Sequence, residues 1–341
     1  MTGECYNDSA YDESVTFNDG APDSARLTVA EGHRHDGTAG TGARIVASGK
    51  HALHNDAGAL DTIEWLEWDQ NGQQCDGPSG KIIRIDIATT IQRMLVHGAV
   101  SSSTSAIGIS RQANHNGSAF HNNIIYNLRC TNTGGGVCEA FRLAGGTGTY
   151  NNNTAFNITN HNGTGQCTGY VAPNDDAASQ CRNNIAIECN QGSTSGTKQD
   201  FDSAIESAST TIHSHNLSSD TSAPGLNSLT EKLATDNFIS TVSGSEDLHL
   251  KSGADATAAG IDPGVTPTGV NIDIDGRDRD AQGDIWDIGA DQSIALALVS
   301  CIALISAWTG DVNLTSAWPG DIALTSNWKT QITLTSQWET C

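Results

Sequence analysis

"HNNIIYN" (121–127), "NNNTAFN" (151–157), "RNNIAIE" (182–188) and "SHNLSSD" (214–220) can be laid over one another. Aligned in this way, Asn123, Asn153, Asn184 and Asn216 fall 30, 31 and 32 residues apart. A short β-type segment precedes each copy: "AIGISR" (106–111), "EAFRLAG" (139–145), "TGYVAPN" (168–174) and "DSAIESA" (202–208). A unit of two or three such strands has no means of burying its apolar face alone, whereas stacking on its neighbours buries it. The period therefore predicts a parallel β-solenoid with Gly-, Asn- and Ser-rich corners. Asn suits matching corners because it tolerates the left-handed backbone conformation and its amide can bond its own copies in adjacent coils. Upstream, "ARIVAS" (43–48), "DTIEWLEWDQNG" (61–72) and "KIIRIDI" (81–87) read as earlier coils.

Composition agrees with an all-β chain rich in turns. There are 36 Gly against 7 Pro, and 16% of residues are charged. Seventeen basic against 39 acidic residues give a formal charge of −22, which speaks against a nucleic-acid partner and suits a solvated acidic surface. Residues 1–20 show neither a basic n-region nor an apolar stretch, so no signal peptide is expected. "IALALVSCIALI" (294–305) is too short for a membrane span and reads as buried strand. Nine cysteines include no CxxC pair, so zinc is a poor reading and most are expected to be small buried hydrophobes.

The chain ends on a faster repeat, "DVNLTSAWPGDIALTSNWKTQITLTSQW" (311–338), preceded by a looser copy, "CIALISAWTG" (301–310). In each ten-residue unit Ile or Val, Leu, Ser and Trp alternate with Ala, Asn, Thr and Gln. Such alternation makes a half-buried strand, and "PGD" (319–321) and "KTQ" (329–331) supply turns. The expectation is a four-stranded β meander with one apolar face carrying Trp308, Trp318, Trp328, Trp338, Leu304, Leu314, Leu324 and Leu334. A face of that kind exceeds what monomers usually expose. It is expected to meet its own copies; the alternatives are docking on another structural protein or on the solenoid, or a platform for sugar rings.

"RLTVAEGHRHDGTAGTGARI" (26–45), the Asn-Asn coils, "HNLSSDTSAPG" (215–225) and above all "DIDGRDRDAQGDIWDIGADQ" (273–292) resemble right-handed parallel β-helix proteins of the pectate-lyase-like superfamily. The likeness is to the subgroup whose solenoid closes on a DIDGxR…DIGA-[DE] segment. It covers residues 15–292 and implies a right-handed parallel β-helix there, which leaves 1–14 as an extension and the Trp repeats of 293–341 as the small C-terminal module. That superfamily includes polysaccharide lyases and hydrolases, surface adhesins and phage tailspikes, so it speaks to fold far more than to function.

Few residues suggest chemistry. In "NIDIDGRDRD" (271–280), Asn271, Asp273, Asp275 and Gly276 have the alternate spacing of a calcium loop. Gln282 stands where a bidentate Glu would be needed, and the competing reading is a turn at Asp275–Gly276 with Arg277 or Arg279 on nearby carboxylates. No cofactor is expected beyond that candidate Ca²⁺ at Asp273 and Asp275. "GHRHDG" (32–37) would place His33 and His35 on one face of a strand, beside Asp36, as a metal requires, but no third ligand is identifiable. Asp175 and Asp176 are the candidate carboxylate pair for glycoside hydrolysis, and the further residues of polygalacturonases and lyases are not found.

The leading expectation is a structural, adhesive protein of a virion or extracellular surface, comparable to a phage fibre or tailspike. The short LTSxW repeats also look like those of structural proteins of tailed phages. A homo-oligomer, a trimer by analogy with tailspikes, would bind cell-surface polysaccharide through several weak sites. The alternatives are a polysaccharide lyase or glycoside hydrolase of the same fold, and a purely structural filament or capsid-decorating protein.

Overall fold

In the computed structural model of the chain, the described residues run from Met1 to Ser293, apart from 18–24, 49–51, 57–59, 76–79, 103–104, 113–116, 132–135, 145–146, 162–164, 173–179, 190–197, 204, 206–212 and 283–284. The chain divides into units Met1–Ile294 and Ala295–Cys341. The Trp repeats, with Trp308, Trp318, Trp328, Trp338 and the four leucines, lie outside the described residues, as do Asp175 and Asp176.

The first unit is a parallel β-solenoid. Each coil contributes one strand to each of three parallel sheets. Sheet A stacks eight strands from Thr2–Cys5 to His213–Ser214, sheet B runs from Arg44–Val46 to Leu217–Ser218, and sheet C from Val15–Phe17 to Lys198–Phe201. Among the described residues the named parallel strands thus begin at Thr2, inside the stretch expected as an extension, and end at Ser218. Residues 219–292, expected as further coils, instead hold a helical turn (Ala234–Asn237), an antiparallel pair (Phe238–Ser240 with Asp247–Leu250) and a 3₁₀ turn (Asp280–Gln282). Pro224, Pro263 and Pro267 interrupt that stretch, and it lacks the apolar triplets that the ladders require.

The four aligned asparagines form a ladder inside the corner between sheets A and B. Asn123 Nδ2 donates to Asn153 Oδ1 at 2.9 Å, Asn153 Nδ2 to Asn184 Oδ1 at 3.0 Å, and Asn184 Nδ2 to Asn216 Oδ1 at 3.1 Å. Each oxygen also takes a backbone N–H from the preceding coil: Met94 N to Asn123, Asn123 N to Asn153, Asn153 N to Asn184 and Asn184 N to Asn216. The second amide hydrogen of each reaches a main-chain carbonyl, such as Ile91 O from Asn123 and Phe120 O from Asn153. Ser228 Oγ caps the column by accepting Asn216 N at 3.0 Å. All four side chains are buried, so this satisfaction is what makes burial tolerable.

The left-handed residue at this corner is the one before the ladder Asn. Trp65, Arg93, Asn122, Asn152, Asn183 and His215 all have φ between 51° and 65°. Trp65 and Arg93 occupy a conformation that costs a residue other than Gly, Asn or Asp ~1–2 kcal/mol, and Arg93 lies 4.9 Å over the Trp65 ring.

The interior is filled by stacked rings and thiols. Phe141, Tyr170 and Phe201 pile up at 4.9 and 4.8 Å. Cys75, Cys130, Cys138, Cys167, Cys181 and Cys189 are buried, as expected of small apolar residues. Sheet B is apolar on both faces. Ile125, Ala155 and Ala186 point inward, while Ile124, Tyr126, Phe156, Ile185 and Ile187 pack outward against Phe238, Leu248, Ile274 and Ile288. Residues 219–293 are therefore a strap that covers the outer face of sheet B.

Polar contacts fix the strap to the left-handed corner. Asn122 and Asn152 both donate to Val270 O, at 2.9 and 3.0 Å, and Asn183 donates to Ile261 O at 2.6 Å. Gly289 N returns a bond to Asn183 O at 2.7 Å. This glycine has φ 106°, and a Cβ there would stand 2.6 Å from Ile185 Cδ1, so only Gly permits the approach. The Arg279 guanidinium is buried and reaches Gly289 O at 2.8 Å, Ala290 O at 2.9 Å, Gln292 Oε1 at 3.1 Å and Asn122 Oδ1 at 3.3 Å.

Asn153→Ala strips two donors and two acceptors of their partners inside the corner. It is expected to cost about 3 kcal/mol or more in urea unfolding, at the destabilising end of single substitutions. Asn127→Gly, in a column where Gly98 already adopts positive φ, is expected to cost no more than ~1 kcal/mol. Equal midpoints for the two variants would contradict the ladder's role.

Candidate functional site

A cleft of about 820 Å³ opens beside the strap, on the outer side of sheet B. Its floor is a third amide column, Asn127 and Asn157, in line with Gly98 and Glu188 and likewise at positive φ. Asn157 Nδ2 donates to Asn127 Oδ1 at 2.7 Å, and Asn127 Nδ2 donates to Glu246 Oε1 at 2.6 Å. Arg129, Thr159 and His161 extend the polar floor, and the strap turn at 243–247 forms one wall. The left-handed bend at Asn127 and Asn157 turns these strands outward, so that Arg129 and Thr159 present side chains to the cleft.

At the inner end, the His97 and Tyr126 rings stack at 4.9 Å and 14°. His97 Nε2 lies 3.0 Å from Glu67 Oε1, and its Nδ1 lies 3.5 Å from Asp69 Oδ1. Burial raises the Tyr126 hydroxyl pKa, and the charges of Glu246, Glu67 and Asp69 add to the effect. Among the lining residues, Asp69, Glu246 and Asp247 place carboxylates on both the solenoid and the strap sides.

Asp247 belongs at once to the cleft and to a nook behind it. Its Oδ1 lies 2.5 Å from His249 Nδ1, while His249 Nε2 lies 2.8 Å from Asp275 Oδ1. Asp291 completes the group: one ligand-type atom from each of His249, Asp275 and Asp291 lies within 4.8 Å of the others. Burial opposes a charge on His249, but the Asp275 hydrogen bond and the surrounding carboxylates outweigh it and hold the imidazole pKa up at about 10. Burial pushes the Asp291 carboxyl up to about 6. A similar group, His54, Asp56 and Asp86, has Arg84 already on Asp86 at 2.6 Å.

The residues singled out in the sequence are dispersed differently. Asp273 is a turn holder: Oδ1 accepts the N–H of Asp275 at 3.0 Å and of Arg277 at 2.7 Å, and Oδ2 that of Gln292 at 3.2 Å. Asp275 pairs with His249 and with Arg277, whose Nη1 is 2.5 Å from Oδ2. Asn271 faces Asp278 and Asp280. His33 and His35 do not share a face, because their segment bends rather than forming a strand. His33 Nδ1 accepts Asn7 N at 3.1 Å, whereas His35 is buried with Nε2 on Arg93 O at 2.9 Å and Nδ1 on Gly37 N at 3.2 Å. Asp36 caps a local turn through Thr38 and Thr41. Sequence reasoning missed His249, Asp291 and the Asn127–Asn157 floor. The recurrence of Asn four residues after the ladder Asn was the available signal for that floor.

Both His35 nitrogens are committed to the neutral ring, and burial drives its pKa down to about 4, against a weaker opposing pull from the Arg93 carbonyl. The folded pKa lies below the unfolded value of 6.5, so the contribution is present above pH 6.5 and is lost as pH falls towards 4. The stability difference between wild type and His35→Gln is expected to shrink by ~3 kcal/mol across that window. A pH-independent difference in denaturation midpoints would contradict this.

Among the described residues no helix is long and apolar enough to cross a membrane. Comparison with protein-family profiles, with curated proteins and with solved structures finds no match to this chain.

Proposed function

We propose that this chain is an adhesive structural protein that attaches to cell-surface polysaccharide through the cleft on sheet B. The observation that carries the reading is the cleft itself. Its volume, about 820 Å³, is that of a small-molecule site. Its floor offers amides, a hydroxyl and a guanidinium in a row, spaced by the coil repeat, and a periodic polar row matches the repeating hydroxyls of a glycan chain. The acidic lining, Asp69, Glu246 and Asp247 against Arg129 with two histidines, favours a neutral glycan over an anionic one.

The assembly follows the same reading. A rigid solenoid resembling the pectate-lyase-like β-helices and tailspikes would stand as the body of a virion or extracellular fibre. The Trp repeats would join copies, as a trimer, or join the chain to other virion proteins. Joining copies turns weak single-site binding into avidity. Carboxylates on both walls of the cleft favour a second reading, a glycoside hydrolase or lyase of the same fold, because hydrolysis needs two carboxyl groups flanking one glycosidic bond.

Titration of the full chain with a panel of neutral and anionic oligosaccharides tests both. Adhesion predicts binding without chain shortening, preference for a neutral ligand, and at least about fivefold weaker binding, or ~1 kcal/mol, in Arg129→Ala and in Asn157→Gly. Shortened chains would replace it with the enzymatic reading, and binding unaffected by either substitution would remove the cleft from the proposal.

A further inference from the structure

We infer that His249, Asp275 and Asp291 form a binding site for one divalent transition-metal ion, independently of what the cleft binds. The three residues come from separate parts of the strap, the antiparallel pair, the Asp275–Gly276 turn and the final segment, and bring one ligand-type atom each within 4.8 Å of the others. One imidazole nitrogen and two carboxylate oxygens are the donor set of a first-row divalent ion such as Zn²⁺, Co²⁺ or Mn²⁺. Ca²⁺ takes six to eight oxygens and has no use for the imidazole.

One observation beyond the clustering points to a ligand. Asp291 is 3% exposed, yet its Oδ1 has no hydrogen-bond donor; the nearest cation is Arg277 Nη1 at 3.8 Å. Its other oxygen is fixed by Leu250 N at 2.8 Å, so the side chain is held with Oδ1 free for the nook. A buried carboxylate oxygen without a donor is costly unless something else meets it. The backbone closes over the same imidazole. Gly37, at φ +86°, arches over the ring, and a Cβ there would stand 2.5 Å from Nε2. Only glycine permits that approach, and Nε2 itself is turned to Asp275 Oδ1 at 2.8 Å.

The surroundings orient the ligand as metal sites do. Asp247 at Nδ1 orients the ring with Nε2 directed at Asp275, the carboxylate–histidine arrangement that supports bound metals. On binding, the ion takes the place of the Nε2 proton, which leaves to solvent, and its nitrogen lone pair and the two carboxylate oxygens become the bonds to the metal. Arg277 lies on the other oxygen of Asp275 at 2.5 Å and competes with the ion for negative charge. A bound ion ties three parts of the strap together and anchors the 243–247 wall of the cleft through Asp247.

The test uses the full chain freed of metal by chelator, titrated with Co²⁺ and followed by absorption, then with Zn²⁺ and Ca²⁺ by calorimetry. The site predicts one equivalent of Co²⁺ with weak d–d bands and no thiolate charge-transfer band, which separates it from the nine cysteines. Zn²⁺ is expected to displace Co²⁺, and Ca²⁺ is not. His249→Gln and Asp291→Asn are each expected to weaken binding at least about tenfold, while Arg277→Gln tightens it several-fold. Asp291→Asn keeps an oxygen for Leu250 N, and Arg277 is partly exposed, so these two decide the matter if His249→Gln fails to fold. Thiolate bands, tighter Ca²⁺ than Zn²⁺, or equal affinity in wild type, Asp291→Asn and Arg277→Gln would overturn the proposal.

Discussion

A buried carboxamide that must both give and receive hydrogen bonds sets the terms for everything else in this molecule. Asn123, Asn153, Asn184 and Asn216 sit in a corner where water is excluded, and each is satisfied by the copy one coil away and by main-chain groups of the preceding coil. That arrangement requires strands at the spacing of a β-ladder and in exact register, since a slip of one residue would direct the amide to the wrong face. The ladder therefore specifies register where the apolar interior, which is more tolerant, does not. Ser228 ends it with a hydroxyl, so the last amide N–H of the column is also met.

The adjacent column has the opposite task. Asn122, Asn152 and Asn183 must take the left-handed turn that brings the chain into sheet B, and this aims their amides outward. The strap uses them as its docking row, with Val270 O shared between two of them. Its apolar residues then cover Ile124, Phe156 and Ile187, a surface too large to leave in water. In three of the four repeats two neighbouring asparagines thus divide inside from outside: one lies within the ladder, and the other holds the cover as well as its own column. Where the cover ends, a third column at Asn127 and Asn157 is left facing a polar cleft.

What was legible in the sequence follows from this division. The ladder was visible because identical residues recur at a nearly constant interval, and periodicity survives sequence divergence between coils. The thiols were legible for a similar reason, since none had the spacing of a metal pair. The strap was not legible. Its ties run from side chains to main-chain carbonyls, as with Arg279 on Gly289 and Ala290, and such partners leave no residue-type pattern. Outward apolar residues in "IIY", "TAF" and "IAI" did carry a hint, because continuous apolar runs imply burial on both faces. The nook was out of reach, since His249 and Asp291 are distant in sequence and only the strap's path brings them together. The paired histidines of "GHRHDG" misled because a same-face argument holds for a strand, and this segment turns instead.

Amide hydrogen exchange, resolved residue by residue, tests most directly whether the ladder holds the coils together. The N–H groups of Met94, Asn123, Asn153 and Asn184 all end on ladder oxygens. If the ladder sets the register, these four exchange only through global unfolding, together and with the protection of the most stable core amides. Exchange of any one of them through local opening, at rates like those of the strap's exposed turns, would show that the coils are held by apolar packing and that the asparagines merely accompany it.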